Sequence, residues 1–134
     1  MAKPANKSER AMYADFAEAF PKCWACGWQS GFRDWCLPRL EIAHIVGGPG
    51  RRHDRRALSR LCEGCHRLAH GARIVLAGVT VPTLDIRNLV GLKLEFDPEH
   101  YDVPYLMSLR VKRAEQLEPQ ELPGWFLEQR KGFR

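Results

Sequence analysis

Residues Cys62 to His70, "CEGCHRLAH", hold two cysteines and two histidines, each of a type that binds zinc. Two sulfur and two nitrogen ligands could close one site within that run alone. A second C-x2-C pair, Cys23 and Cys26, offers another solution. The full pattern C-x2-C-x35-C-x2-C sets four thiolates around one ion, the closed tetrahedral arrangement of a structural Zn2+. In a chain without secretory features this spacing argues for metal over disulfides. The fifth cysteine, Cys36, sits in "RDWCLP" beside bulky apolar residues and reads as a buried, inert thiol.

If the cysteines complete the zinc's coordination, His66 and His70 are released for a second duty. They stand four apart in a helical stretch, hence on one face. Two imidazoles so placed can grip another divalent ion and leave positions open for water or phosphate, as a catalytic metal requires. The plainer alternative has one histidine near the negative pole at the helix end and the other merely exposed. His44 has two readings as well: a satisfied core residue of an apolar strand, or a catalyst.

Charge points to a partner. The 134-residue chain carries a formal +5, and residues 51 to 73 carry all of it: seven arginines face only Asp54 and Glu63, while the remainder balances 14 basic against 14 acidic residues. A concentrated positive field favours a polyanion, and arginine suits bidentate phosphate contact. Arg51, Arg52, Arg55, Arg56, Arg60 and Arg67 are therefore the expected nucleic-acid-binding residues; a solvated basic loop is the alternative. The sequence has no apolar run of 18 residues and no secretory stretch at its start, so no membrane contact and an intracellular, cytoplasmic setting are expected.

The elements that must position these residues can be read from pattern. Ser8 as a cap and Met12, Phe16 and Phe20 at helical spacing predict an amphipathic helix ended by Pro21. "CWACG" predicts a tight knuckle. Residues 39 to 46, "RLEIAHIV", predict a strand with Leu40, Ile42, His44 and Val46 on one face and Glu41, Ala43 and Ile45 on the other. "GGPG" breaks it, the arginine loop follows, and "CHRLAHGA" predicts about two helical turns closed by Gly71. Residues 73 to 84 predict a short hairpin, residues 103 to 116 a helix, and "PGWFLEQRKGFR" a short terminal helix with a basic end.

In this order, from "CWAC" through "LEIAHIVGGPGRRHDRRALSRLCEGCHRLAHG", the chain resembles the HNH endonuclease family, in the subclass whose ββα-metal motif surrounds a zinc held by four cysteines. The resemblance implies an α+β fold: one small zinc-stabilised ββα-metal core over about residues 20–78, a flanking N-terminal helix, and a C-terminal helical extension over about 79–134. It implies a metal-dependent enzyme that hydrolyses phosphodiester bonds of duplex DNA. His44 would be the general base that activates water. His66 and His70 would hold a catalytic divalent ion such as Mg2+, Mn2+ or Ni2+.

Two positions depart from the family's pattern. Many members place a metal ligand just before the base, where this chain has Ala43, and Ala57 stands where the family's middle asparagine is expected. Candidate substitutes are Asp54 and His53 in the loop; Glu41 shares Ala43's face, but about 6.6 Å of strand rise is a long way to compensate. Two further readings follow: a noncatalytic zinc-ribbon module that binds nucleic acid, and a protein-interaction domain of the cross-brace kind, which would need more zinc ligands than this chain supplies.

Overall fold

Asn6 starts the first helix, α1 (Lys7–Ala19), in a computed structural model that describes residues 6–29, 39–47 and 53–132. Its side chain accepts the Glu9 amide at 2.9 Å while the Glu9 carboxylate reaches back to Asn6, a capping box. The cap is thus Asn6 and not Ser8, because only Asn6 has a glutamate at the reciprocal position. Arg51, Arg52, Cys36 and Arg134 lie outside the described residues.

The centre is an antiparallel ribbon, β1 (Leu40–His44) and β2 (Leu58–Cys62), with Leu40 opposite Cys62 and His44 opposite Leu58. The strand is shorter than expected. Ile45 and Val46 leave the ladder but stay buried, and the Ile45 amide donates to the Ala57 carbonyl at 2.8 Å. Helix α2 (Glu63–Ala69) follows β2 without a loop, since Cys62 is both the last strand residue and the helix cap, its Sγ accepting the Cys65 amide. Gly71, at φ +86°, ends the helix as expected.

The hairpin of residues 73 to 84 is present as β3 (Val75–Leu76) and β4 (Val79–Thr80). Ala77 and Gly78, both at positive φ, form its two-residue turn. Helix α3 (Ile86–Phe96), capped by Asp85, is not among the expected elements. Its inward stripe passes through Lys93, and that charge hides the helical period. The expected helix over 103–116 is also corrected. Only α4 (Val103–Met107) and a 3-10 turn at Ala114–Leu117 form. Ser108 Oγ takes the Tyr105 carbonyl, and the Gln116 side chain accepts the amides of Lys112 and Arg113, so local side-chain bonds compete with the helix. Helix α5 (Gly124–Gly132) closes the described chain.

The fold is therefore mixed α/β, with two small two-stranded sheets and five α-helices among the described residues. Its core holds an aromatic cluster in which Trp24 stacks on Phe96 at 5.5 Å and meets the edges of Phe16 and Phe20. Among the described residues no helix is long and apolar enough to cross a membrane.

Candidate metal centre and the histidine groove beside it

The first knuckle is a turn between Lys22 and Gln29, which form an isolated antiparallel bridge. The Cys23 amide donates to the Trp28 carbonyl at 2.8 Å and the Gly27 amide to the Cys23 carbonyl at 3.0 Å. Gly27 is at φ +82°, and a Cβ there would come within 3.0 Å of Arg130 Cα, so both backbone and space require glycine. The Trp24 amide bonds the Arg60 carbonyl at 2.8 Å and fastens the knuckle to β2. This places Cys23 and Cys26 against Cys62 and Cys65.

The four buried sulfurs all lie within 4.8 Å of one another, with Cys26 and Cys62 at 3.7 Å. Tetrahedral zinc with bonds of about 2.3 Å demands sulfur separations of roughly 3.8 Å. The cluster fits that geometry, and 3.7 Å is far beyond a disulfide bond. Its electrostatics fit too. Hydrogen bonds to Cys23 and Cys62 push the Cys26 thiol up, and those to Cys23, Cys26 and Cys62 push Cys65 up. Burial would raise Cys23 as well, but hydrogen bonds from the other three bring it well below its usual value. Four thiolates cannot crowd together without a cation to neutralise them, which a divalent ion does. The pattern of four cysteines is thus compatible with structural zinc.

Beside this centre, α2 and the start of β1 enclose an open groove of about 270 Å³ lined by Glu41, Glu63, His66, Arg67, His70 and Ala72. The rings of His66 and His70 lie side by side with centroids 4.9 Å apart, as their spacing predicts. His66 Nδ1 is 3.1 Å from Glu41 Oε1, and Arg39 lies 3.6 Å from the other Glu41 oxygen. Glu41 thus reaches the groove, as a partner of His66, despite the strand rise that argued against it. The ribbon register explains its reach: Leu40 pairs with Cys62, so the start of α2 sits over the start of β1. The sequence signal was a carboxylate on the Ala43 face of the strand.

His44 is not among the residues that line this groove. It ends β1 three residues beyond Glu41, an odd step that sets it on the other face, with Ile42 and Arg60. The structure thus brings His66 and His70 together and joins Glu41 to them. Neither other substitute faces the groove. Asp54 caps the 3-10 turn Arg55–Ala57, and His53 hydrogen-bonds Tyr13 of α1.

The arginines divide by role. Arg55 is 3.6 Å from Asp97 and lies over the Phe16 ring. Arg56 bridges Asp54 and Asp102 at 2.9 and 3.0 Å and stacks on Tyr105 at 3.6 Å. Arg60 donates to the Phe20 carbonyl at 2.9 Å, and burial lowers its pKa. Arg67 pairs with Glu63 at 2.7 Å, but its side chain is 66% exposed at the groove.

Two residues outside the expected site, Lys93 and Arg130, hold this arrangement. Lys93 is fully buried and donates to the carbonyls of Arg55 and Leu58, on either side of Ala57, and to Asp97. Arg130 donates to the carbonyls of Trp24 and Ala25 and pairs with Glu95. Comparison with family models, curated proteins and solved structures yields no match.

Proposed function

We propose that the chain is a metal-dependent nuclease of the HNH type that hydrolyses phosphodiester bonds of duplex DNA. The observation that carries this reading is the order of parts in space. An antiparallel ribbon runs into a four-thiol cluster, and the helix that leaves the cluster presents His66 and His70 side by side on an open groove. Thiols and imidazoles thus occupy separate places, one closed and one open, as structural and catalytic metals require.

Each part then has a task. Cys23, Cys26, Cys62 and Cys65 hold zinc and with it the base of α2. His66 and His70 hold a divalent ion such as Mg2+, Mn2+ or Ni2+, which supplies charge stabilisation on the phosphate and the leaving oxygen. Arg67, exposed at the groove, and Arg39, 80% exposed beside Glu41, meet phosphate oxygens. The resemblance assigns the proton of the attacking water to His44, which stands on the strand face opposite Glu41 and outside the groove, so the His44→Ala variant decides whether it is the base. Ala57 fits this reading, because Lys93 ties the loop through main-chain carbonyls on both sides of it, where the family uses an asparagine side chain.

Supercoiled plasmid offered with a panel of divalent ions tests the proposal. Nicking or linearisation that needs the added ion and disappears in His44→Ala, with zinc content unchanged, is the expected result. A second reading draws on the place of His44 outside the groove: a noncatalytic zinc module that binds nucleic acid. It predicts retention of DNA that falls steeply with salt and no cleavage with any ion.

A further inference from the structure

The contact between Glu41 and His66 reaches beyond the metal-ion reading, although it rests on that reading for its purpose. We propose that Glu41 is a positioning residue: its Oε1 accepts the Nδ1–H of His66, which leaves the Nε2 lone pair to face the groove as the metal-binding atom.

The geometry separates this role from two others. A direct ligand would have to converge with both imidazoles. Among the described residues only the four cysteines have donor atoms all within 4.8 Å of one another, so Glu41, His66 and His70 do not form such a set. A casual surface ion pair would leave the carboxylate mobile. Here Glu41 stands on a paired strand, its side chain is 29% exposed, and Arg39 engages its second oxygen. The ladder fixes the backbone beneath the carboxylate, and His66 is fixed on α2. A carboxylate bonded to one ring nitrogen fixes the tautomer and orientation of a ligating histidine and raises the basicity of the other nitrogen. Because Ala43 removes a ligand from this same strand face, the remaining imidazoles must be well aimed.

Ring-nitrogen NMR of 15N-histidine-labelled, zinc-loaded protein at pH 8 reads the tautomer directly. The wild type should carry its His66 proton on Nδ1. Glu41→Ala should lose that preference, and Glu41→Gln, which keeps a carbonyl acceptor, should restore much of it. A proton on Nε2 in the wild type, or a His66 signal unchanged in Glu41→Ala, overturns the assignment. Calorimetric titration with Mn2+ adds the functional readout, with affinity falling about 10–100-fold in Glu41→Ala and less in Glu41→Gln. Equal loss in both variants with the tautomer intact would make Glu41 a ligand and also overturn it. The NMR result decides the role of Glu41 by itself; wild-type protein that holds Nδ1–H but takes up no Mn2+ sinks the cation reading alone.

Discussion

Lys93 Nζ lies 2.8 Å from Asp97 Oδ2, one turn along α3, with the lysine side chain fully buried and the aspartate nearly so. Desolvation lowers the Lys93 pKa, and Asp97 works against that loss. Losing Lys93 would leave the Arg55 and Leu58 carbonyls without their donor and take from Asp97 its fully buried cation, leaving it His100 and Arg55. Lys93→Met should therefore cost about 3–5 kcal/mol in urea unfolding. Lys93→Met combined with Asp97→Asn should recover part of it. A cost below about 1 kcal/mol would place this pair with ordinary surface bridges.

The pH dependence of stability has a defined sign. Burial raises Asp97, but hydrogen bonds from Lys93 and His100 outweigh it and hold its carboxyl below the usual range. The Arg56 guanidinium lowers Asp54; the Tyr105 amide, then Arg56, lowers Asp102. Groups depressed in the fold stabilise it above their unfolded value, about 3.9, and lose that contribution as pH falls through the folded one. The melting temperature should fall below about pH 4. Asp54→Asn with Asp102→Asn should flatten this slope while leaving zinc release unchanged; an unaltered slope would assign acid lability to Asp97 and the thiolates.

Thiols and imidazoles should separate under mutation. Cys65→Ser is expected to lose bound zinc together with the cooperative unfolding transition, since zinc-binding energy is folding energy in so small a core. His66→Ala and His70→Ala should keep zinc and the transition while losing Mn2+ binding. Metal analysis beside thermal melts distinguishes these outcomes. Zinc loss in His66→Ala would place that imidazole in the structural site.

Arg130→Ala should cost about 1–3 kcal/mol, because it leaves the Trp24 and Ala25 carbonyls without their charged donor. Arg130→Lys should recover little, as an ammonium lacks the planar fork. Gly27→Ala should destabilise through its positive φ and the Arg130 backbone 3.0 Å away. Denaturant midpoints measure all three.

Much of the metal centre was legible because cysteine spacing is a short-range signal. The knuckles, the first strand of the ribbon, α2 with its Gly71 stop and the hairpin follow from local pattern, whereas β2 did not stand out from the segment leading into the second knuckle. What escaped depends on contacts between distant segments. Glu41 looked too far from Ala43 because strand rise alone ignores the helix that folds over it. Helix α3 was hidden because Lys93 takes a core position, and only the Arg55 and Leu58 carbonyls with Asp97 make that acceptable. Arg55, Arg56 and Arg60 read as one positive field, yet each has an intramolecular partner: Asp97, Asp54 with Asp102, and a main-chain carbonyl.

The clamp of Arg130 on the first knuckle joins residues 106 apart in the chain. At synthesis rates of about 5–20 residues per second, the ribosome needs roughly 5–20 s to travel from one to the other. During that interval the nascent Cys23–Cys26 turn lacks the guanidinium that covers its carbonyls. The knuckle that comes first in the chain is thus finished by the last described helix, and shortening the chain before Arg130 should loosen that turn even though every cysteine remains.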